Sequence, residues 1–436
     1  MTQNSAGADL SLKQNMALGL QHFLAVFVSN MTPMLIVTNL IHLPEGERMA
    51  LVQATMVIAG LATIFQLKRV GIFGSELPMF IGSNANFLPI LMAIAVSYGM
   101  EGILGATIVG GLVAILFGIF IKPLSRFIPN VVAGTVVLSV GLSLIPISVD
   151  YWAGGTGAAD YGSLSNLFLG FIVLTVILVL QEFAGGFIKK AAVLFGIFVG
   201  YVAAIIMNKV DFMPLMQASM VSLPEFMPFR PAFHLDAIIA VAIIYIAVCV
   251  KMVGDMNSIT LGALNREPTL RELRGNITTS GLFSIIGGMF GTFPHASFSQ
   301  NVGLVVSTKV VNRASMFFCG LVMLLAGIFP KISVLFSSMP PAILGGALLI
   351  VFSSIIVTGI QMLFRENLNG RNGTIVALSL GLGFAVISVP EALVQLPEMV
   401  QLIFGKSMVN TTFATAFILN LLLPKSKEGK AKWGQE

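Results

Sequence analysis

The stretches GIFGSELPMFIGSNAN (residues 71–86) and GMFGTFPHASFSQN (residues 288–301) decide how this chain is read. Each carries Gly-x-Phe-Gly, a small hydroxyl residue, a proline and then a polar pair. Pro78 to Asn84 is six residues, and Pro294 to Gln300 is also six. Proline removes a backbone donor, and Gly, Ser and Asn are poor helix formers, so a helix entering either stretch should break there. The sequence around both stretches is apolar. Irregular backbone at membrane depth persists only where it is buried in protein or lines a cavity. One such break reads as an ordinary proline kink; two matched breaks predict a site between interrupted segments.

Composition calls for a bilayer. Only 10% of the residues are charged and 56% are hydrophobic, with a mean hydropathy of +0.94; a soluble domain is typically about 25% charged. Apolar stretches of roughly 18 to 25 residues recur along the chain, each long enough for a bilayer core of ~30 Å. The first residues, MTQNSAGADLSLKQN, hold no apolar run, so no cleavable leader is expected. Cys249 and Cys319 lie in apolar segments without a CxxC partner and read as small buried hydrophobes, with no structural metal and no cofactor expected. No HExxH, GxSxG or paired-carboxylate pattern points to an enzyme, and no ring of charges or filter-like sequence points to a channel.

The expected fold is an all-α polytopic membrane protein with fourteen spans, near 16–37, 49–67, 72–98, 101–121, 127–147, 164–184, 191–208, 236–262, 275–292, 294–308, 313–330, 338–361, 373–389 and 405–423. Basic residues test the count. With a cytoplasmic N-terminus, the cytoplasmic segments hold 18 of the 24 Lys and Arg, including Lys68, Arg69, Arg126, Arg266, Arg271, Arg274, Lys309, Arg313, Arg365 and the tail lysines Lys425, Lys427, Lys430 and Lys432. The opposite side holds five (Arg48, Lys209, Arg230, Lys331 and Lys406), and Lys251 lies inside span 8. This bias follows the positive-inside rule and predicts a multi-pass protein of the inner (plasma) membrane with both termini cytoplasmic. The proline-rich link 209–235 separates seven spans from seven. An odd number per half inserts the halves in opposite senses, an inverted repeat of the kind that places a transporter's site at the midplane, with short extended strands in broken spans 3 and 10.

Several polar residues have no place in a passive span. Lys251 lies about 22 Å along its helix from Asp236, too deep to snorkel easily. Lys251, Asp255 and Ser258 share one helix face. A central charge costs on the order of 3 kcal/mol to insert. The pair reads either as a structural tie between helices or as part of a substrate or coupling site. Span 10 adds Ser297, Ser299, Gln300 and Asn301, and span 3 offers Asn84 and Asn86. A carboxamide carries one acceptor and two donors, which suits the edge of a small polar ring such as a nucleobase. His22 reads equally as a helix–helix hydrogen-bonding group or a site residue. His42 and His234 read as loop residues, and Glu76 and Glu182 as solvated span ends.

The segment QNVGLVVSTK (300–309) matches the signature of the nucleobase–ascorbate transporter family: Gln, Glu or Pro, then Asn, any residue, Gly, four residues, Thr, and a basic residue or Gly. With Gln21-His22, Gly82-Ser83 and Gly254-Asp255, the chain resembles bacterial xanthine/uracil permeases along most of its length. The resemblance implies a core domain from residues 1–126 and 211–331, a gate domain from 127–210 and 332–424, and a basic cytoplasmic tail at 425–436. It further implies a homodimer, elevator-type movement of the core, and symport with a proton or another cation such as sodium.

Gln at position 300 is typical of xanthine and urate carriers, so the implied substrate is an oxidised purine bound by the Gln300 amide. Asn301 would support that geometry, and the backbone at Ala85 would face the ring beside Asn84, Phe298 and Ser299. His22 and Asn86 would stand behind the ligand. The pattern departs at Lys251, where family members usually have a carboxylate that binds substrate and couples protons. A second acidic position appears here as Ser280. Proton coupling through Asp255 and its neighbours is therefore in question, and Lys251 is expected to replace a coupling cation or to meet an anionic purine. The rival readings are an anion carrier of the same architecture, for sulfate, bicarbonate or a carboxylate, and a permease for uracil or another base. Membrane lipid is an expected partner and nucleic acid is not.

Overall fold

The first long helix, α1 (Leu12–Leu40), begins at a capping box in which Ser11 accepts from the Gln14 amide and the Gln14 side chain returns to the Ser11 backbone. The computed structural model describes residues 10–124, 129–155, 157–213, 216, 219–364, 366, 368 and 370–424. The basic tail 425–436, Arg126 with the expected 126/127 domain boundary, and Arg365 lie outside the described residues.

After α1 come α2 (Glu45–Gln66), strand β1 (Ile81–Ser83), a 3-10 turn (Ala85–Phe87) and α3 (Leu88–Ile119). Then follow α4 (Asn130–Trp152), α5 (Leu164–Phe183), α6 (Ala192–Ile206), α7 (Leu235–Leu264) and α8 (Leu270–Met289). Strand β2 (His295–Ser297) leads into α9 (Ser299–Thr308), followed by α10 (Arg313–Ile328), α11 (Pro341–Leu363), α12 (Arg371–Ser388) and α13 (Met408–Leu422). Within α3, Gly99 has φ +64°, a left-handed conformation that divides the run where spans 3 and 4 were expected to part.

Among the described residues, eight helices are long and apolar enough to cross a bilayer, or nine if the bent pair Glu398–Gly405 and Met408–Leu422 counts as one. The expected spans are thus not all full-length helices. Spans 3 and 10 consist of a strand joined to a helix, and spans 7 and 11 are the shorter helices α6 and α10. Helices from opposite ends of the chain pack together: α3 on α8, α4 on α11, and α10 on both α1 and α2.

The α3–α8 crossing shows why the sequence puts glycine there. A Cβ on Gly281 would stand 2.4 Å from the Gly111 carbonyl, and one on Gly111 would stand 2.6 Å from the Gly281 carbonyl. Only bare backbone lets the two helices approach so closely, as is usual where lipid-soluble helices pack without a hydrophobic drive. At the other extreme, only 17% of the α12 window and 28% of the α5 window are covered by the rest of the chain, against 78% for α1. The outward faces of α5 and α12, with Phe168, Phe171, Leu382 and Phe384, are apolar and open.

β1 and β2 pair antiparallel, Ile81 opposite Ser297, Gly82 opposite Ala296 and Ser83 opposite His295. A two-stranded ladder leaves both outer edges unpaired, which is costly away from water. Side chains from the surrounding helices close these edges. Thr63 of α2 meets the Ile81 amide and carbonyl at 3.2 and 3.3 Å, and Asn30 of α1 accepts from the Ser83 amide at 2.9 Å. On the opposite edge Ser284 of α8 accepts from the His295 amide at 2.7 Å, and the Tyr245 hydroxyl of α7 donates to the His295 carbonyl at 2.8 Å. The crossing is therefore a fixed hub, anchored to four helices.

Candidate substrate-binding site

Both broken segments resume as helix directly after their strands, at opposite ends of the antiparallel ladder. α9 starts at Ser299 with Phe298 as its N-cap, and the 3-10 turn leading into α3 starts at Ala85 with Asn84 as its N-cap. Their free amide ends, which carry the positive pole of a helix, both border one cavity. Pro78 and Pro294 prepare this turn in sequence, but the six-residue spacing misaligns the amides. β1 begins three residues after Pro78, whereas β2 begins one residue after Pro294, so the strands match Gln300 with Asn86 and not with Asn84. The segment after Pro78 needs two more extended residues to reach the crossing.

Lys251 reaches the hub from α7. Its ammonium donates to Asp255 Oδ2 at 2.8 Å and to the Ser297 carbonyl at 2.7 Å, with both charged side chains only 6% exposed. That carbonyl, an outer edge group of β2, also accepts from Asn84 Nδ2 at 3.0 Å. Asp255 holds three donors: Oδ2 also accepts from Ser297 Oγ at 2.7 Å and Oδ1 from Ser299 Oγ at 2.9 Å. The ammonium is balanced, and the carboxylate is engaged on both oxygens. Ser258, expected on this face, instead donates back to the Gly254 carbonyl at 3.0 Å, so it does not join the pair.

A small cavity of about 30 Å³ lies against this arrangement, lined by Asn84, Ala85, Asn86, Lys251, Phe298, Ser299 and Gln300. This is room for a water or two. The Gln300 carboxamide forms no hydrogen bond among the described residues and faces this space. Six lining positions that sequence reasoning did not single out complete the wall: Ser29 from α1, Val137 from α4, and Val351, Ser354, Ile355 and Thr358 from α11. The two hydroxyls on α11, one turn apart in an apolar helix, are the only sequence signal among them, and it is weak because such hydroxyls commonly bond back to their own helix.

Three predicted residues stand behind the wall. Asn301 is fully buried; its Oδ1 accepts from the Phe80 amide at 2.7 Å and its Nδ2 lies 3.0 Å from His22 Nδ1. It supports the β1 approach and does not line the cavity, and His22 orients it. Asp255 holds Lys251 and the two serines. Ser280 is apart from all of these: its hydroxyl is buried in α8 with no hydrogen-bond partner and lines no part of this cavity.

Two broken segments, whose helix starts border a small pocket in a bundle of apolar helices, have the arrangement of a membrane permease. The Permease family matches residues 13–392. The xanthine permease of Bacillus subtilis is 36% identical over 94% of this chain and 93% of its own length. The uric acid permease PucK of the same organism is 35% identical over 91% of this chain and 92% of its own. In structure, the chain resembles the transmembrane domain of the cyanobacterial bicarbonate transporter BicA, with a TM-score of 0.62 over 95% of this chain and 98% of that one at 12% identity. That last likeness is one of fold alone. The chain belongs to the nucleobase–ascorbate transporter family.

Proposed function

We propose that the protein is a secondary carrier of an oxidised purine, xanthine or urate, held between the two broken segments. The observation that carries this reading is the Gln300 carboxamide, uncommitted and facing the cavity across from the Ala85 backbone. The purine edge pairs with that amide, the ring lies beside Phe298, and the Lys251 ammonium offers its remaining N–H to a carbonyl or anionic ring nitrogen. The relatives named for xanthine and uric acid support the substrate class.

The cavity is too small for a purine in this arrangement, so loading requires the wall from α4 and α11 to part from the wall built on α7 and α9. Elevator movement of a core (1–126 and 211–331) against a gate (127–210 and 332–424) supplies such a parting. Fourteen segments in a seven-plus-seven inverted repeat, cytoplasmic termini, and a homodimer covering the open apolar faces of α5 and α12 complete the proposal. Asp255 holds Lys251 and two serine hydroxyls, and Lys251 stands where the family usually has its coupling carboxylate, so proton coupling by the usual route is not part of the proposal. An anion carrier is the second reading, favoured only by the ammonium at the site.

Competition for labelled xanthine uptake separates the two readings: urate competes under the first and sulfate or bicarbonate under the second. Gln300→Ala should weaken xanthine binding at least tenfold, about 1.4 kcal/mol. Undiminished binding by that variant sinks the proposal.

A further inference from the structure

Lys251 and Thr358 belong to two linings at once. On their far side lies a second cavity of about 280 Å³, bounded by Asn130 of α4, Asn257 of α7, Gln361 of α11 and Glu267 in the loop after α7. Among the described residues no other lines both cavities, so this lysine and this threonine stand between them. Small-molecule sites begin at roughly 300 Å³, and the second cavity approaches that size where the first does not. Its polar groups are uncommitted: the side-chain amides of Asn130, Asn257 and Gln361 form no hydrogen bond among the described residues. Leu261 and Met362 supply apolar surface beside them. Uncommitted carboxamides around an apolar face repeat the chemistry of the Gln300 pocket at larger volume. The cavity also borders the loop that carries Arg266, and thus the basic side of the chain.

We propose that this cavity is a second nucleobase subsite on the basic side. It takes the base in turn with the Gln300 pocket, and Lys251 is the movable partition between them. The inference rests on the nucleobase-carrier reading. Lys251 suits the role because Asp255, its anchor, lines the second cavity and not the first. Its ammonium can therefore swing on a flexible stem while keeping its counter-charge. A base leaving the Gln300 amide then meets a second set of donors and acceptors before open water, with no bare polar edge between the two stations.

Single-cysteine reporters test this in the full chain. Cys249 and Cys319 are fully buried and leave a quiet background. Gln361→Cys, with Ser258→Cys as a second reporter, should react with a membrane-impermeant maleimide presented to the basic side in inside-out vesicles. Saturating xanthine should slow that reaction at least fivefold, and the protection should persist when Gln300→Ala is added. Loss of protection with Gln300→Ala means that the upper pocket alone is sensed and overturns the second subsite. So does xanthine that binds without protecting, or a reporter pair that never labels. Wild-type protein that binds no nucleobase would instead defeat the carrier reading itself.

Discussion

Removing the Lys251 ammonium while keeping its length, as in Lys251→Met, takes the counter-charge from Asp255 in a site where both partners are 6% exposed. Breaking a buried pair from one side costs about 3–5 kcal/mol. Asp255 would keep the Ser297 and Ser299 hydroxyls, and the Ser297 carbonyl would keep Asn84. The loss therefore belongs at the lower end, about 3 kcal/mol. Asp255→Leu should be worse, about 5 kcal/mol, because the remaining ammonium is left with a carbonyl in place of a charge.

The double variant Lys251→Met/Asp255→Leu removes both charges. Its residual cost is the two serine hydroxyls without their acceptor, about 1 kcal/mol each. The double variant should thus be more stable than either single variant, with a coupling of at least ~2 kcal/mol. Unfolding of purified protein in lipid–detergent mixtures, followed for all four proteins in the cycle, measures this. Single variants within ~1 kcal/mol of wild type, with effects that simply add, would show that water reaches the pair and refute the reasoning.

Lys251→Glu places a titratable carboxylate beside Asp255 and should make xanthine uptake depend on pH, measured in vesicles between pH 5 and pH 8; a flat profile counts against the lysine's place in coupling. Gly281→Ala drives a methyl into the Gly111 carbonyl and should destabilise by about 1–3 kcal/mol, whereas Gly381→Ala, with open space around it on α12, should be neutral or stabilising by up to ~1 kcal/mol; melting temperatures of the two variants check the contrast. The Lys209 ammonium, 2.8 Å from Asp160, holds that carboxyl below its ordinary value of 3.8, chiefly by hydrogen bonding and further by its charge, against the opposing effect of burial. A carboxylate with a depressed pKa stabilises at neutral pH, and its contribution is lost as the pH falls through and below 3.8. Trp152, whose indole donates to the Leu167 carbonyl at 2.7 Å beside this loop, should report a small acid shift in emission that disappears in Lys209→Met.

The breaks were legible because Pro78 and Pro294 stand among Gly, Ser and Asn, all poor helix formers, inside otherwise apolar sequence, and the Lys251–Asp255 contact because i and i+4 meet on a helix. The residues that close the strand edges were not. Thr63, Ser284 and Tyr245 read as unremarkable hydroxyls, since a hydroxyl that caps a strand looks in sequence like one bonded back to its own helix, as Thr55 is to the Leu51 carbonyl at 2.8 Å. Ser258 belongs to that second kind: it shares the Lys251 face and lines the second cavity with it, but its hydroxyl bonds back to the Gly254 carbonyl. The number of extended residues between proline and strand also left no mark, so equal spacing paired the wrong amide with Gln300. Thr358, the residue that shares the partition with Lys251, belongs to a helix that meets the hub only through tertiary packing.

The strand crossing has a consequence for biosynthesis. Asn84 finds its partner carbonyl 213 residues later, at Ser297. At a ribosomal pace of about 5–20 residues per second, roughly 10–40 s pass between the emergence of the two strands. During that interval the first strand presents bare amides and carbonyls that hydrocarbon cannot satisfy. The nascent first half must then wait in a wet compartment, in the insertion machinery or against another protein, and a chain that stops before residue 297 should be a target for membrane quality control and not a stable half-carrier.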